Sequence, residues 1–115
     1  MTPDQEFRCA EVLLEVLEER KRQEAMHGAT NAQNTIVEWH AILAEEYGEF
    51  SREAVEDHFA RKSGRVRDRA NLRAEALQVA AVAVAIVECL DAAARAEAHR
   101  EHTNPPQDAY EPHGC

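Results

Sequence analysis

Ala74-Glu75-Ala76-Leu77-Gln78-Val79-Ala80-Ala81-Val82-Ala83-Val84-Ala85-Ile86-Val87-Glu88-Cys89-Leu90 is the most apolar stretch of the chain and the one that decides the fold. It is short for a membrane span and carries Glu75, Gln78 and Glu88, so it reads as a buried core helix. Leu72, Leu77, Val79, Val82, Ala83, Ile86, Val87 and Leu90 form its apolar positions. The helix is expected from about Arg67 or Asn71 to about Arg100, with a break near Ala93. No membrane partner is expected.

Two further helices precede it. The first is expected from Pro3 to about Met26. Thr2, Pro3 and Gln5 make a capping-box start, Phe7, Ala10, Leu13, Leu14 and Leu17 give an apolar stripe, and Gly28 is the expected stop. The second begins near Thr35, where Thr35-Ile36-Val37-Glu38 repeats the capping-box pattern, and fades near Ala60. It carries Trp39, Ile42, Leu43, Tyr47, Phe50 and Ala54. Arg61 to Asn71 is a basic connection containing Gly64. Pro105-Pro106 and Pro112 mark an irregular tail. The expected organisation is one all-α helical domain over residues 1–102 with a C-terminal tail over 103–115.

Bulk properties agree. Aromatics are 5% and alanine is abundant, which favours helices over sheets. A chain of 115 residues buries a modest core, and oligomerisation is a natural way to bury more. The formal net charge of −9 argues against a nucleic-acid polymer as partner, because that affinity rests on neutralising phosphates with Lys and Arg. It leaves room for a small nucleotide held through a metal. Cys9, Cys89 and Cys115 show no close pairing, and Met1-Thr2-Pro3-Asp4 lacks the regions of a signal peptide. Reduced thiols in a cytoplasmic protein are the expectation.

Chemistry concentrates in two acidic segments. Glu45-Glu46-Tyr47-Gly48-Glu49 lies on the second helix and Glu75-Ala76-Leu77-Gln78 opens the third. Glu46 and Glu49 project from one helix face, as do Glu75 and Gln78. Brought together, they would place three carboxylates and an amide oxygen in one pocket. Such carboxylates repel one another unless a cation neutralises them, and an all-oxygen set suits Mg²⁺, with Mn²⁺ as a substitute. Glu46 sits on the apolar side of its helix, where solvated glutamates do not belong. In a chain with 22 acidic residues the same motif could also be three surface glutamates.

Between the acidic halves lie Arg61, Lys62, Arg65, Arg67, Arg69 and Arg73. Arginine binds phosphate oxygens bidentately, so Arg69 and Arg73 are candidate substrate contacts. The cations would otherwise offset the neighbouring acids Glu53, Glu56 and Asp57. Trp39, two turns before Glu46, could stack a nucleobase or fill the core.

The two segments together resemble the motifs of the MazG-like all-α nucleoside triphosphate pyrophosphohydrolases. Ala41 to Phe50 is similar to the family's first motif and Leu72 to Ala83 to its second, in the style of small phage and actinobacterial members. The resemblance implies a helical bundle, completed as a homodimer or homotetramer, that cleaves a nucleoside triphosphate to a monophosphate and pyrophosphate. It implies Mg²⁺ ligands at Glu46, Glu49 and Glu75, with Glu45 orienting a water or a second ion. Gln78 stands where the family pattern expects Asp; it keeps an oxygen ligand and loses a charge. Nucleotide-pool cleansing is the implied role. Two alternatives accompany it: a MazG-like scaffold that binds nucleotide or metal without turnover, and a purely structural helical oligomer.

Overall fold

A computed structural model describes residues 1–103. Among them the regular elements are three helices: α1 (Pro3–Asn31), α2 (Ile36–Lys62) and α3 (Ala70–Thr103). The all-α expectation holds. The expected tail, from residue 104 onward, lies outside the described residues.

Helix starts follow the sequence signals. The Gln5 N–H donates to Thr2 Oγ1 at 3.2 Å, and the Thr2 N–H donates to Gln5 Oε1 at 2.8 Å. Thr35 and Glu38 repeat this at 3.3 and 3.1 Å. Each box satisfies donors that the first turn would leave orphaned. The ends differ from expectation. α1 runs through Gly28 to Asn31, because a lone glycine costs a helix only about 1 kcal/mol relative to alanine. α3 has no break at Ala93, where Ala92 to Ala94 are the best helix formers available. α2 stops at a glycine that the backbone requires. Gly64 has φ +78°, its N–H donates to Arg61 O at 3.0 Å, and the Arg65 N–H donates to Ala60 O at 2.9 Å. This paired closure satisfies the last carbonyls of the helix.

α1 and α2 both pack on α3 and not on each other. The pairs Glu15–Arg73 and Arg20–Glu88 run α1 parallel to α3. Asp57–Arg69 at one end, and Trp39 against Val82 and Ala85 at the other, run α2 antiparallel to it. The core is small. Val16, Trp39, Ala60, Ala81, Val82 and Ala85 are buried, and Ile42, Leu43, Ile86 and Cys89 pack around the Trp39 cluster.

One expectation is corrected here. The α1 stripe does not face this core: Phe7, Leu13 and Leu14 are 65, 60 and 63% exposed, and Val16 is the residue α1 buries. At about 100° per residue, Val16 lies roughly 120° around the helix from the centre of that stripe. Cys9 is free and exposed.

Candidate metal centre

The antiparallel run of α2 against α3 brings the two acidic turns face to face. Carboxylate oxygens of Glu46, Glu49 and Glu75 all lie within 4.8 Å of one another, and all three residues are half-buried. Helical spacing supplies the geometry. Glu46 and Glu49 are one turn apart on α2, and Glu75 opens the α3 turn that ends at Gln78.

The electrostatics of the trio are unfavourable in the absence of a cation. Burial pushes the Glu46 carboxyl above the usual carboxylate range, and the charges of Glu49, Glu75, Glu45 and Glu19 push it further. Burial also raises Glu75, followed by the charge of Glu49 and a hydrogen bond with it; Arg52 opposes the shift. A group whose charged form is disfavoured by both burial and like charges gains most from a bound cation. Three carboxylates and no nitrogen or sulfur donor fit a hard divalent ion.

Gln78 reaches the same cluster. Its favoured orientation turns the amide nitrogen inward, donating to Glu46 Oε2 at 3.1 Å and Glu75 Oε2 at 3.2 Å. The amide thus bridges two carboxylates that repel each other. To ligate a cation through oxygen it must turn over by half a rotation. Glu45 is exposed and stands outside the trio, acting on Glu46 by charge alone.

The candidate arginines are not directed at the cluster. Arg69 donates to Asp57 at 3.0 Å, and Arg73 donates to Glu15 of α1. Arg61 also donates to Asp57, at 3.2 Å, and Arg67 clamps Glu53 at 2.6 Å and Glu56 at 3.2 Å. Asp57 is 5% exposed, and its hydrogen bonds from Arg69 and then Arg61 hold it below its ordinary value. These cations fasten the 63–69 connection along α2.

Three residues near the cluster were missed from sequence. Arg52 bears on Glu75, while Glu19 and Arg22, a bidentate pair at 2.6 and 2.8 Å, bear on Glu46. Glu19 and Arg22 lie in the Glu18–Glu24 stretch, whose charge density reads as a solvated rim. The signal that could have found Glu19 is the three-to-four-residue spacing Val16, Glu19, Gln23, His27. Gln23 joins that face to α3 by donating to the Gln78 carbonyl at 3.3 Å.

Trp39 is 7% exposed and belongs to the core, so its ring faces are not an open stacking platform. It does border two openings. A cavity of about 70 Å³ lies among Arg22, His27, Asn31, Trp39 and Glu46, and a groove of about 440 Å³ runs past Arg20, Glu24 and Glu88. Trp39 Nε1 and Asn34 Nδ2 are buried without a hydrogen-bond partner among the described residues.

No family model, curated protein or solved structure matches this chain. The resemblance to the MazG-like enzymes therefore rests on the motif residues.

Proposed function

We propose that the chain is a divalent-cation-dependent hydrolase of a nucleoside triphosphate, of the bundle type that releases pyrophosphate and works in the cytoplasm on the nucleotide pool. The observation that carries this reading is the convergence of Glu46, Glu49 and Glu75 from two helices to within 4.8 Å. When bound there, Mg²⁺ would polarise a phosphate oxygen and lower the pKa of a water. Glu46, Glu49 and Glu75 would hold the ion, and Gln78 could join them after its amide turns. Arg22 and Arg52, whose charges act on Glu46 and Glu75, would meet phosphate oxygens in place of Arg69 and Arg73. Trp39 would offer an edge to the base, with its ring faces committed to the core. Further copies of the chain would complete the bundle.

A second reading, a scaffold that binds nucleotide or cation without turnover, is favoured by one contact. The Gln78 amide donates into the carboxylates, where the resemblance implies a fourth acid. Pyrophosphate release from a panel of standard and modified nucleoside triphosphates, with Mg²⁺ and with EDTA, separates the two. Turnover that requires Mg²⁺ and falls at least 100-fold in Glu49→Gln supports the hydrolase. Mg²⁺-dependent binding without release on any substrate supports the scaffold and overturns the hydrolase.

A further inference from the structure

Two buried donors near the start of α2 meet no acceptor. Trp39 and Asn34 are each 7% exposed, and Trp39 Nε1 and Asn34 Nδ2 have no hydrogen-bond partner among the described residues. Such groups are rare in folded proteins, and each calls for a partner from outside the chain. Thr35 caps α2, so Asn34 is the residue before the cap and Trp39 the fourth of the helix. Those two positions face each other across a helix start. Trp39 also borders both openings beside the acidic trio. The small cavity and the groove share Arg20, Glu24, Asn31, Trp39 and Ala85, and the cavity reaches Glu46. Farther along, the groove is walled by Gly28, Ala32, Ala92, Ala93 and Ala96, short side chains that leave room for a flat ring. Its volume of about 440 Å³ lies in the range of small-ligand sites, about 300–1,000 Å³.

We propose that Trp39 Nε1 and Asn34 Nδ2 select the base of the bound nucleotide by donating to an edge that carries two acceptors side by side. The proposal rests on the nucleotide reading above and adds which base is taken. The protein offers two donors at this contact and no acceptor. Guanine meets them with O6 and N7, whereas adenine sets an N6 amino donor beside its N7. Cytosine offers the same chemistry with O2 and N3. Uracil and thymine place an N–H between their two carbonyls. A wrong base would turn a donor toward a donor and leave both buried and unpaired. That penalty discriminates more strongly than the fit of the right base, because a site built to make hydrogen bonds rejects a ligand that cannot make them.

The chain has one tryptophan, so a single indole N–H resonance reports on Nε1. The probes are dGTP, 7-deaza-dGTP, dATP and dCTP, each with an imido group bridging the α and β phosphates, and tripolyphosphate as a base-free control. All are titrated into the full chain with Mg²⁺. The imido dGTP or dCTP should move the indole resonance and the Asn34 side-chain resonances, while bound tripolyphosphate leaves both in place. A response to dGTP assigns the guanine edge, and 7-deaza-dGTP, which lacks the N7 acceptor, should then bind at least about tenfold more weakly. A response to dCTP alone assigns the cytosine edge. Trp39→Phe should erase the preference over dATP and leave tripolyphosphate affinity unchanged; if that variant does not fold, the wild-type titrations decide alone. Nucleotides that bind no tighter than tripolyphosphate, with an unmoved indole, overturn the proposal, assign the donors to trapped water and leave the hydrolase reading standing. Binding of dATP as tight as that of dGTP and dCTP overturns it as well. Guanosine or cytidine that moves the indole of a chain unable to bind Mg²⁺ and tripolyphosphate supports the base contact and overturns the hydrolase.

Discussion

Glu46 concentrates the conflict in the candidate site, because it is half-buried and the charges around its carboxyl are acidic. Its folded value is raised above the ordinary 4.5, chiefly by burial, and Glu75 follows. A raised carboxyl binds protons more tightly in the folded state. Its contribution to stability is therefore full below about pH 4.5 and is lost as pH rises through the raised value. Without divalent ion, Glu46→Gln should melt above the wild type at neutral pH, and the difference should vanish as pH falls toward 4.5. Adding Mg²⁺ at about 100 times its dissociation constant should stabilise the wild type by about 2.7 kcal/mol and leave the variant unmoved. Equal melting of the two proteins at every pH, with and without Mg²⁺, would sink the cation site. The converging carboxylates themselves were legible in sequence, since EExxE spacing and an apolar neighbourhood specify one helix face. The orientation of the Gln78 amide was not, because one of its two acceptors, Glu46, lies on a different helix.

Among the elements, the 63–69 connection shows how a cationic run can be misread. Arg69 suggested phosphate recognition, and the alternative reading holds instead: Arg61, Arg67 and Arg69 pair with Asp57, Glu53 and Glu56. Both uses are chemically sound, and the choice depends on how far the chain doubles back after Gly64. Asp57, depressed by Arg69 and then Arg61, contributes stability that is present above its ordinary value of 3.8 and is lost as pH falls through the folded one. Asp57→Asn should lower the melting temperature at neutral pH, and the deficit should shrink in acid. Amide exchange should quicken over residues 63–72 while the Trp39 cluster stays protected. Exchange that quickens uniformly would mean that the pair acts on global stability alone. The capping boxes at Thr2 and Thr35 were readable because they are local. The true end of α1 was not, because one glycine does not outweigh a helix-forming neighbourhood.

At the scale of the whole molecule, the sequence identified the apolar faces but not what each one touches. Phe7, Leu13, Leu14 and Leu17 form the stronger stripe of α1, yet Val16 and the polar Glu19–Gln23 face meet α3. Hydrophobic periodicity says that a face wants covering, and it carries no label for the molecule that covers it. Thus the pairing of α2 with α3 was legible, since apolar residues and motif acids share a face on each helix, while their antiparallel direction was not. The place of α1 was not.

Val87 is 56% and Leu90 46% exposed on α3, and a partner copy covering them would make protein concentration a thermodynamic variable. If the fold is finished only when two copies meet, each tenfold dilution shifts the balance toward separated chains by about 1.4 kcal/mol per dimer. The melting temperature should then fall steadily on dilution for the wild type and stay level for Val87→Glu. In a cell, the quantity of this chain would regulate its own persistence. Scarce copies would spend more time apart and open to proteolysis, while abundant ones would protect each other.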